Sequence, residues 1–420
     1  MTYVDQLASP ARDSRRGRHA ERPVGWAAVL RLPYTARLLG GTLMGRLPLG
    51  AAPVVLLLAV RAHSGSTARG AALAAVYGLA VAAGQPLVGR LVDRVGQTVP
   101  TVVCAVLSTS AFAALAVVGT ADPAFALTGA ILAGLTAGSL EANLRGLWPL
   151  VVPTGRHLRA AYTLDSGAQE LVYVAGPLLA TVLTAAFGPA AALAVTGLLG
   201  LGGSLTVILA PPSRTWRPAP MRRPSLLGAL RPRGMRLLLT ALVAVGTALG
   251  ALNVAAVSAS TQFGAGWLSG ALPAAMSLGA LAGSALFASL PSTAAASTQL
   301  QFCATAFALA WCPLTLATGP WTALACAALP GLAFGPLLTC CYQAIDLMAA
   351  PGTVTESYSW LVAAFGIGTA AGTGLAGALD GPLALPAAAA ALALVLLLPM
   401  RGLLRRAHPV AAAADYEAAL

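Results

Sequence analysis

Lysine is missing from this 420-residue chain, and all 25 basic residues are arginine. A Walker-type phosphate loop needs a lysine, and so does Schiff-base catalysis, so both are excluded. Charge is scarce overall, at 9% of residues against about 25% in soluble globular proteins. The four histidines, His19, His63, His157 and His408, fall in tails or loops without ligand spacing. No metal site is expected from them, and no cofactor is expected either. Six cysteines (Cys104, Cys303, Cys312, Cys326, Cys340 and Cys341) all lie in apolar runs. They read as buried thiols, because a disulfide framework belongs to exposed, oxidising settings.

What is abundant is apolar surface. Hydrophobic residues make up 58% of the chain, and the mean hydropathy is +0.79. A protein core alone cannot absorb that much, so lipid is the solvent for much of it. Twelve apolar segments are read near 38–60, 70–90, 98–119, 124–144, 162–187, 190–210, 237–258, 266–290, 299–317, 320–343, 358–379 and 383–400. Each is close to the ~20 residues of a spanning helix. Their Gly and Ala content suits helices that pack closely within lipid. The apolar run after the basic N-terminal stretch is too long for the core of a signal peptide and has no clear cleavage site. The net charge of +12 does not indicate a nucleic-acid partner, since that needs a basic face on a folded domain.

The arginines order these segments. Seven precede the first, from Arg12 to Arg37. Arg90 and Arg94 follow the second segment, and Arg145, Arg156 and Arg159 follow the fourth. Seven more, from Arg214 to Arg236, follow the sixth, and Arg401, Arg405 and Arg406 follow the twelfth. Only Arg61 and Arg69 lie on the other side, and Arg46 lies within a segment. Basic residues concentrate in cytoplasmic loops, so both termini are expected in the cytoplasm of a multi-pass protein of the cell membrane. The expected organisation is a tail (1–37), a six-helix bundle (38–210), an irregular linker (211–236), a second six-helix bundle (237–400) and a tail (401–420). The linker's basic charge can contact anionic lipid.

The halves resemble each other. The run Gly134-Leu135-Thr136-Ala137-Gly138-Ser139-Leu140 recurs as Gly331-Leu332-Ala333-Phe334-Gly335-Pro336-Leu337. Pro153 pairs with Pro351, and Asp165-Ser166 is matched with Glu356-Ser357. The fold class is therefore all-α and membrane-embedded, with twelve transmembrane helices in two pseudo-symmetric bundles.

Gly89-Arg90-Leu91-Val92-Asp93-Arg94-Val95-Gly96 joins segments two and three. This loop resembles that of the major facilitator superfamily, G-x-L-x-D-R-x-G-R-K, with Gly89, Leu91, Asp93, Arg94 and Gly96 matching. Gln97 and Thr98 replace the two final basic residues. The likeness in span number, linker and repeat covers nearly the whole chain. It implies that Gly89, Asp93, Arg94 and Gly96 belong to a cytoplasmic gate. Independently, a carboxylate such as Asp93 suits a helix N-terminus, where the macrodipole favours an anion. The second-half counterpart, near residues 283–291, has neither Asp nor Arg. Gly176-Pro177 in segment five is similar to the G-P step of the family's antiporters and predicts a kink, although Ala180 and Thr181 replace two further glycines of that pattern.

Charge at bilayer depth is costly and usually faces a cavity or a partner. The candidates are Arg46, Glu141, Arg145, Asp165 and Glu170. Arg46 lies eight residues past Leu38, about 12 Å along a helix. Glu141 and Arg145 are four apart and can pair on one face. Tyr162, Ser166, Gln169 and Tyr173 form a polar stripe beside Glu170. Ion-pair ties between helices explain Arg46, Glu141 and Arg145 as well as a pathway does, and a helix cap explains Asp165. Asp346 reads as a solvated loop residue. Tyr358 and Trp360 suit either a cavity wall or an interfacial anchor.

The resemblance implies a secondary transporter working by alternating access, with the site between halves and a small-molecule substrate. The candidate substrate and proton pathway is Arg46, Glu141, Arg145, Gln169, Glu170, Tyr173, Asn253 and Trp360. The G-P step and a carboxylate-poor cavity favour proton-coupled efflux of a hydrophobic or amphipathic molecule. Uptake by symport, facilitated diffusion, and a transport-inactive sensor or scaffold stay open. A sugar site usually gathers more groups than Asn143, Asn253, Gln262 and Gln343. No nucleophile–base set appears within the spans, so an enzyme is not expected. A monomer is expected.

Overall fold

The computed structural model describes residues 24–64, 67–153, 155–217, 228–290, 294–379 and 383–404. Arg12 to Arg22, Arg222, Arg223, Arg405, Arg406, His19 and His408 lie outside them. The described residues are almost entirely helical, and ten helices among them are long and apolar enough to cross a membrane.

A short helix, α1 (Trp26–Leu30), precedes three long ones, α2 (Thr35–Ser64), α3 (Thr67–Val95) and α4 (Thr98–Val118). The fourth crossing is broken. It comprises α5 (Pro123–Leu135) and α6 (Leu140–Val151), separated at Gly138, whose φ is +77°. The start of α5 is set by Asp122, which accepts from the Ala124 N–H at 2.9 Å, with Pro123 at the first helical position. That combination suits an N-terminus, because proline has no N–H to leave unpaired.

Helix α7 (Arg156–Ile208) is two crossings joined at Gly188, where φ 82° and ψ 165° leave the helical region. A glycine permits that conformation without a Cβ clash. Of the whole helix only Gly188 departs from helical dihedrals, and Gly176-Pro177 lies within the first arm. Asp165 was expected near the start of its segment. Because α7 begins at Arg156, Asp165 stands in its third turn instead.

Beyond the short α8 (Pro211–Thr215), the second half runs through α9 (Arg233–Gln262), α10 (Leu268–Ser289), α11 (Ala296–Ala310) and α12 (Cys312–Thr315). It ends with α13 (Pro320–Met348), α14 (Val354–Ala378) and α15 (Ala384–Leu397). The ninth crossing is the divided α11 and α12, with Pro313 in the second piece. Counting the two arms of α7, the halved fourth crossing and this pair, the chain makes twelve crossings in two bundles of six.

The loops that carry most of the arginines meet at one end of the molecule, here called the basic end. Large apolar side chains remain exposed along the helices, among them Leu79, Phe187, Phe302, Leu309 and Trp321. In a membrane protein these face lipid. Cys312 is exposed rather than buried, and Cys326 is half-buried. Within the second bundle, small residues set the helix spacing: a Cβ on Gly250 of α9 would overlap the Thr369 carbonyl of α14. Close backbone approach through small residues is how helices associate where burial of apolar surface gives no drive.

Candidate functional site

Helices α2, α6 and α7 bring four of the predicted charges together inside the first bundle. Arg46 of α2 pairs with Glu141 of α6 at 2.5 Å. Glu141 also pairs with Arg145 one turn on, and Arg145 Nε meets Asp165 of α7 at 2.8 Å. All four are buried. Two cations and two anions cancel, and each supplies the partner that a charge at this depth requires. Arg145 therefore belongs to the interior, not to the arginines of the loops. The break before α6 starts a new helix whose first two turns face the bundle core.

Arg145 also reaches the other half. Its Nη2 donates to the Tyr342 hydroxyl of α13 at 2.5 Å and to Gln169 Oε1 at 3.2 Å. Its guanidinium lies 3.8 Å from the centroid of the Tyr342 ring, a favourable cation–π distance. The polar stripe of α7 faces this seam. Tyr162 donates to Asp346, and Ser166 lies 3.2 Å from both Ser284 and Thr339. Asp346 stands in the last turn of α13 rather than in the loop. Although exposed on one side, it also accepts from buried Tyr358 at 2.6 Å.

At the basic end, α3 meets the N-terminus of α14. Asp93 Oδ1 accepts from the Thr355 N–H at 3.1 Å and Oδ2 from the Glu356 N–H at 2.7 Å. It thus caps a helix of the opposite bundle, satisfying donors that the helix itself cannot. Arg90 pairs with Glu356 at 2.9 Å. A Cβ at Gly89 would collide with Ser359, so glycine lets α3 and α14 touch here. Gly96 turns the chain with φ +93°, a conformation that costs glycine little. Arg94 is exposed.

Between the bundles lies a cavity of about 700 Å³. Its walls include Glu170, Tyr173 and Gln169 of α7, Asn253 of α9, Ser277 of α10, Phe334 of α13 and Phe365 of α14. Gly270 and Leu178 carry it toward the end opposite the basic loops, and at the basic end the Asp93 contacts join the two bundles. Glu170 is the one charged residue in the lining, and Ser277 lines the same cavity from the other half. The ion-paired cluster lies one hydrogen bond behind, through Gln169.

The sequence profile described as Major Facilitator Superfamily matches residues 38–299. The chain belongs to this superfamily. Solved structures of the same fold cover nearly nine-tenths of it. A bacterial homologue of the iron transporter ferroportin, in an outward-facing state, has TM-score 0.69 and 16% identity over 87% of this chain and 99% of its own. The human organic anion transporter MFSD10 (TETRAN) has TM-score 0.64 and 14% identity over 87% and 100%. The superfamily transporter FucP, in the outward conformation, has TM-score 0.67 and 14% identity over 88% and 98%. No curated protein matches the chain in sequence. Major facilitator proteins are transporters, and this chain is a multi-pass member of that family.

Against this frame, the predicted residues divide into three places. Gln169, Glu170, Tyr173 and Asn253 line the cavity. Arg46, Glu141 and Arg145 form the cluster behind it. Trp360 is half-buried and packs against the hydrophobic core outside the cavity lining. A Cβ at Gly176 would overlap the backbone of Gly50 in α2, so this glycine sets the spacing of α2 and α7.

Several contributors were not singled out from sequence. Tyr342 looks like an ordinary aromatic of an apolar helix, and its partner comes from the opposite half. Gln97, where the family motif has a basic residue, is buried, donates to the Asn143 carbonyl at 3.1 Å and accepts from Ser213 at 3.0 Å. The neutral side chain ties the loop between α3 and α4 to α6 and α8 without a charge.

Proposed function

We propose that this major facilitator protein is a proton-coupled exporter of a small apolar or amphipathic molecule, working by alternating access. The observation that carries this reading is the cavity between the bundles, apolar apart from a few hydrogen-bonding groups and holding Glu170 as its one charge. A carboxylate in that position can take up a proton from the open side and release it after the bundles rock. Glu170 is assigned that carrier role. Gln169, Tyr173 and Asn253 orient the substrate, while Phe334 and Phe365 bury its apolar body. Arg46, Glu141 and Arg145 hold the floor of the pathway and keep α2, α6 and α7 in register. Asp93 and Gly89 form the cytoplasmic gate, with Arg94 and Gly96 in the same loop.

The concentration of arginine at one end supports cytoplasmic termini and a plasma-membrane location. The open side of the cavity then faces out. Proton entry from that side, coupled to substrate leaving by it, gives export by exchange. The chain acts as a monomer on this reading.

The test begins with a thermal-shift screen of small molecules on purified full-length protein, since ligands stabilise the folded state by mass action. Molecules that bind are then loaded into proteoliposomes under an imposed pH gradient. Export accelerated by external acid is expected. Flux no greater than in empty vesicles for every binder contradicts the proposal.

A further inference from the structure

The two halves keep a similar spacing at the basic end, and the seam between α10 and α7 holds a second contact of opposite polarity to that between α3 and α14. Gly134 and Gly331 are 197 residues apart. The same spacing carries Arg90 to Phe287, Asp93 to Leu290, and Arg159 to Glu356. Arg159 and Glu356 both stand in the first turns of their helices, α7 and α14.

The geometry obeys this correspondence. Where α3 meets α14, an acid on the end of α3 caps a helix N-terminus, and Arg90 pairs with Glu356 in the first turn of α14. Where α10 meets α7, the end of α10 offers no charged side chain. Arg159, in the first turn of α7, instead donates to the Phe287 carbonyl at 3.2 Å and the Leu290 carbonyl at 3.4 Å. Its guanidinium sits 4.1 Å from the centroid of the Phe287 ring. A helix C-terminus leaves carbonyls unpaired and carries the negative end of the macrodipole, so a cation is the matching cap. The face of Phe287 adds to the attraction.

We infer that Arg159 is the second-half counterpart of the Asp93 gate, a positioning residue that holds α7 against α10 while the cavity is open at the other end. The second gate is present with its charge transferred to the opposite bundle: an acid on a helix start in one seam, a base on a helix end in the other. The inference rests on the alternating-access reading.

The test uses the full chain in proteoliposomes with its six cysteines replaced by serine and one reporter cysteine restored. Ser166→Cys reports on the α7–α10 seam, and Ser359→Cys reports on the α3–α14 seam. A membrane-impermeant maleimide is applied to vesicles whose basic end faces outward. Arg159→Met is expected to raise labelling at position 166 about fivefold, from the loss of a helix-end charge and a cation–π contact. Arg159→Lys should keep the rate within about twofold of the parent, because it retains the cation. Size-exclusion profiles of the variants establish folding, and the lysine variant keeps the test open if the methionine variant does not fold.

Unchanged labelling in Arg159→Met, with Asp93→Asn raising labelling at position 359, overturns the inference and leaves the transport reading intact. Equal increases in Arg159→Met and Arg159→Lys also overturn it, since the charge would then be irrelevant. If Asp93→Asn too leaves its own seam closed, the alternating-access reading fails and the inference with it.

Discussion

The two bundles repeat a fold without repeating its chemistry. The first buries Arg46, Glu141, Arg145, Asp165 and Glu170. The second carries no Asp, Glu, Arg, Lys or His from Leu237 to Ile345. It supplies hydroxyls and rings instead: Tyr342 to Arg145, Tyr358 beside Asp346, and Phe334 and Phe365 to the cavity wall. The difference follows from how each kind of interaction behaves in low dielectric. Helix spacing set by small residues works in either half independently. A buried charge needs a partner close by, so most buried charges gather in one cluster of the first half, while Glu356 of the second finds Arg90 across the seam. One bundle can then hold the titrating group while the other provides an apolar surface to move against it.

Removing a charge from the first bundle should therefore cost the most. Arg145→Ala leaves Glu141 sharing only Arg46 and Asp165 without its cation, and about 3–5 kcal/mol of stability should be lost. Thermal unfolding in detergent checks this, and a change under about 1 kcal/mol would mean that water reaches the cluster. In the second bundle the equivalent damage should come from bulk. Gly250→Val drives a side chain into the α14 backbone, and a loss of about 1–3 kcal/mol is expected, read in the same unfolding measurement. A neutral result would show that α9 and α14 can separate freely.

The contacts between bundles should be weaker than either. Asp93→Asn removes the anion from the α14 N-terminus and should shift the balance between open and closed basic ends by about 1–2 kcal/mol. Labelling at position 359 reads it out as an increase of roughly five- to thirtyfold. Tyr342→Phe deletes one hydrogen bond to Arg145 but keeps the ring, and should cost about 1 kcal/mol in unfolding. A loss equal to that of Arg145→Ala would move the weight of the cluster from the first bundle to the seam.

Much of this was legible in the chain. Apolar run lengths located the crossings, and helical spacing put Tyr162, Ser166, Gln169 and Tyr173 on one face of α7. The pair Glu141–Arg145 followed from a four-residue separation. What failed depended on backbone breaks or on distant partners. Arg145 was counted both with the loop arginines and among the charges at bilayer depth, and the break before α6 places it in the core. Asp346 is exposed, as a solvated residue would be, but it stands in α13 rather than a loop, and its partners Tyr162 and Tyr358 come from two other helices. The packing of Gly176 against Gly50 of α2 needs a partner far away in the chain, and the departure from helical dihedrals falls at Gly188.

The central claim is that the single charged group in the cavity carries the coupling proton. Proteoliposomes containing wild-type protein or Glu170→Gln, loaded with a molecule found by the binding screen, separate coupling from movement. The account predicts that Glu170→Gln loses export driven by a pH gradient but still exchanges labelled for unlabelled substrate across the membrane. Undiminished pH-driven export by Glu170→Gln would contradict it.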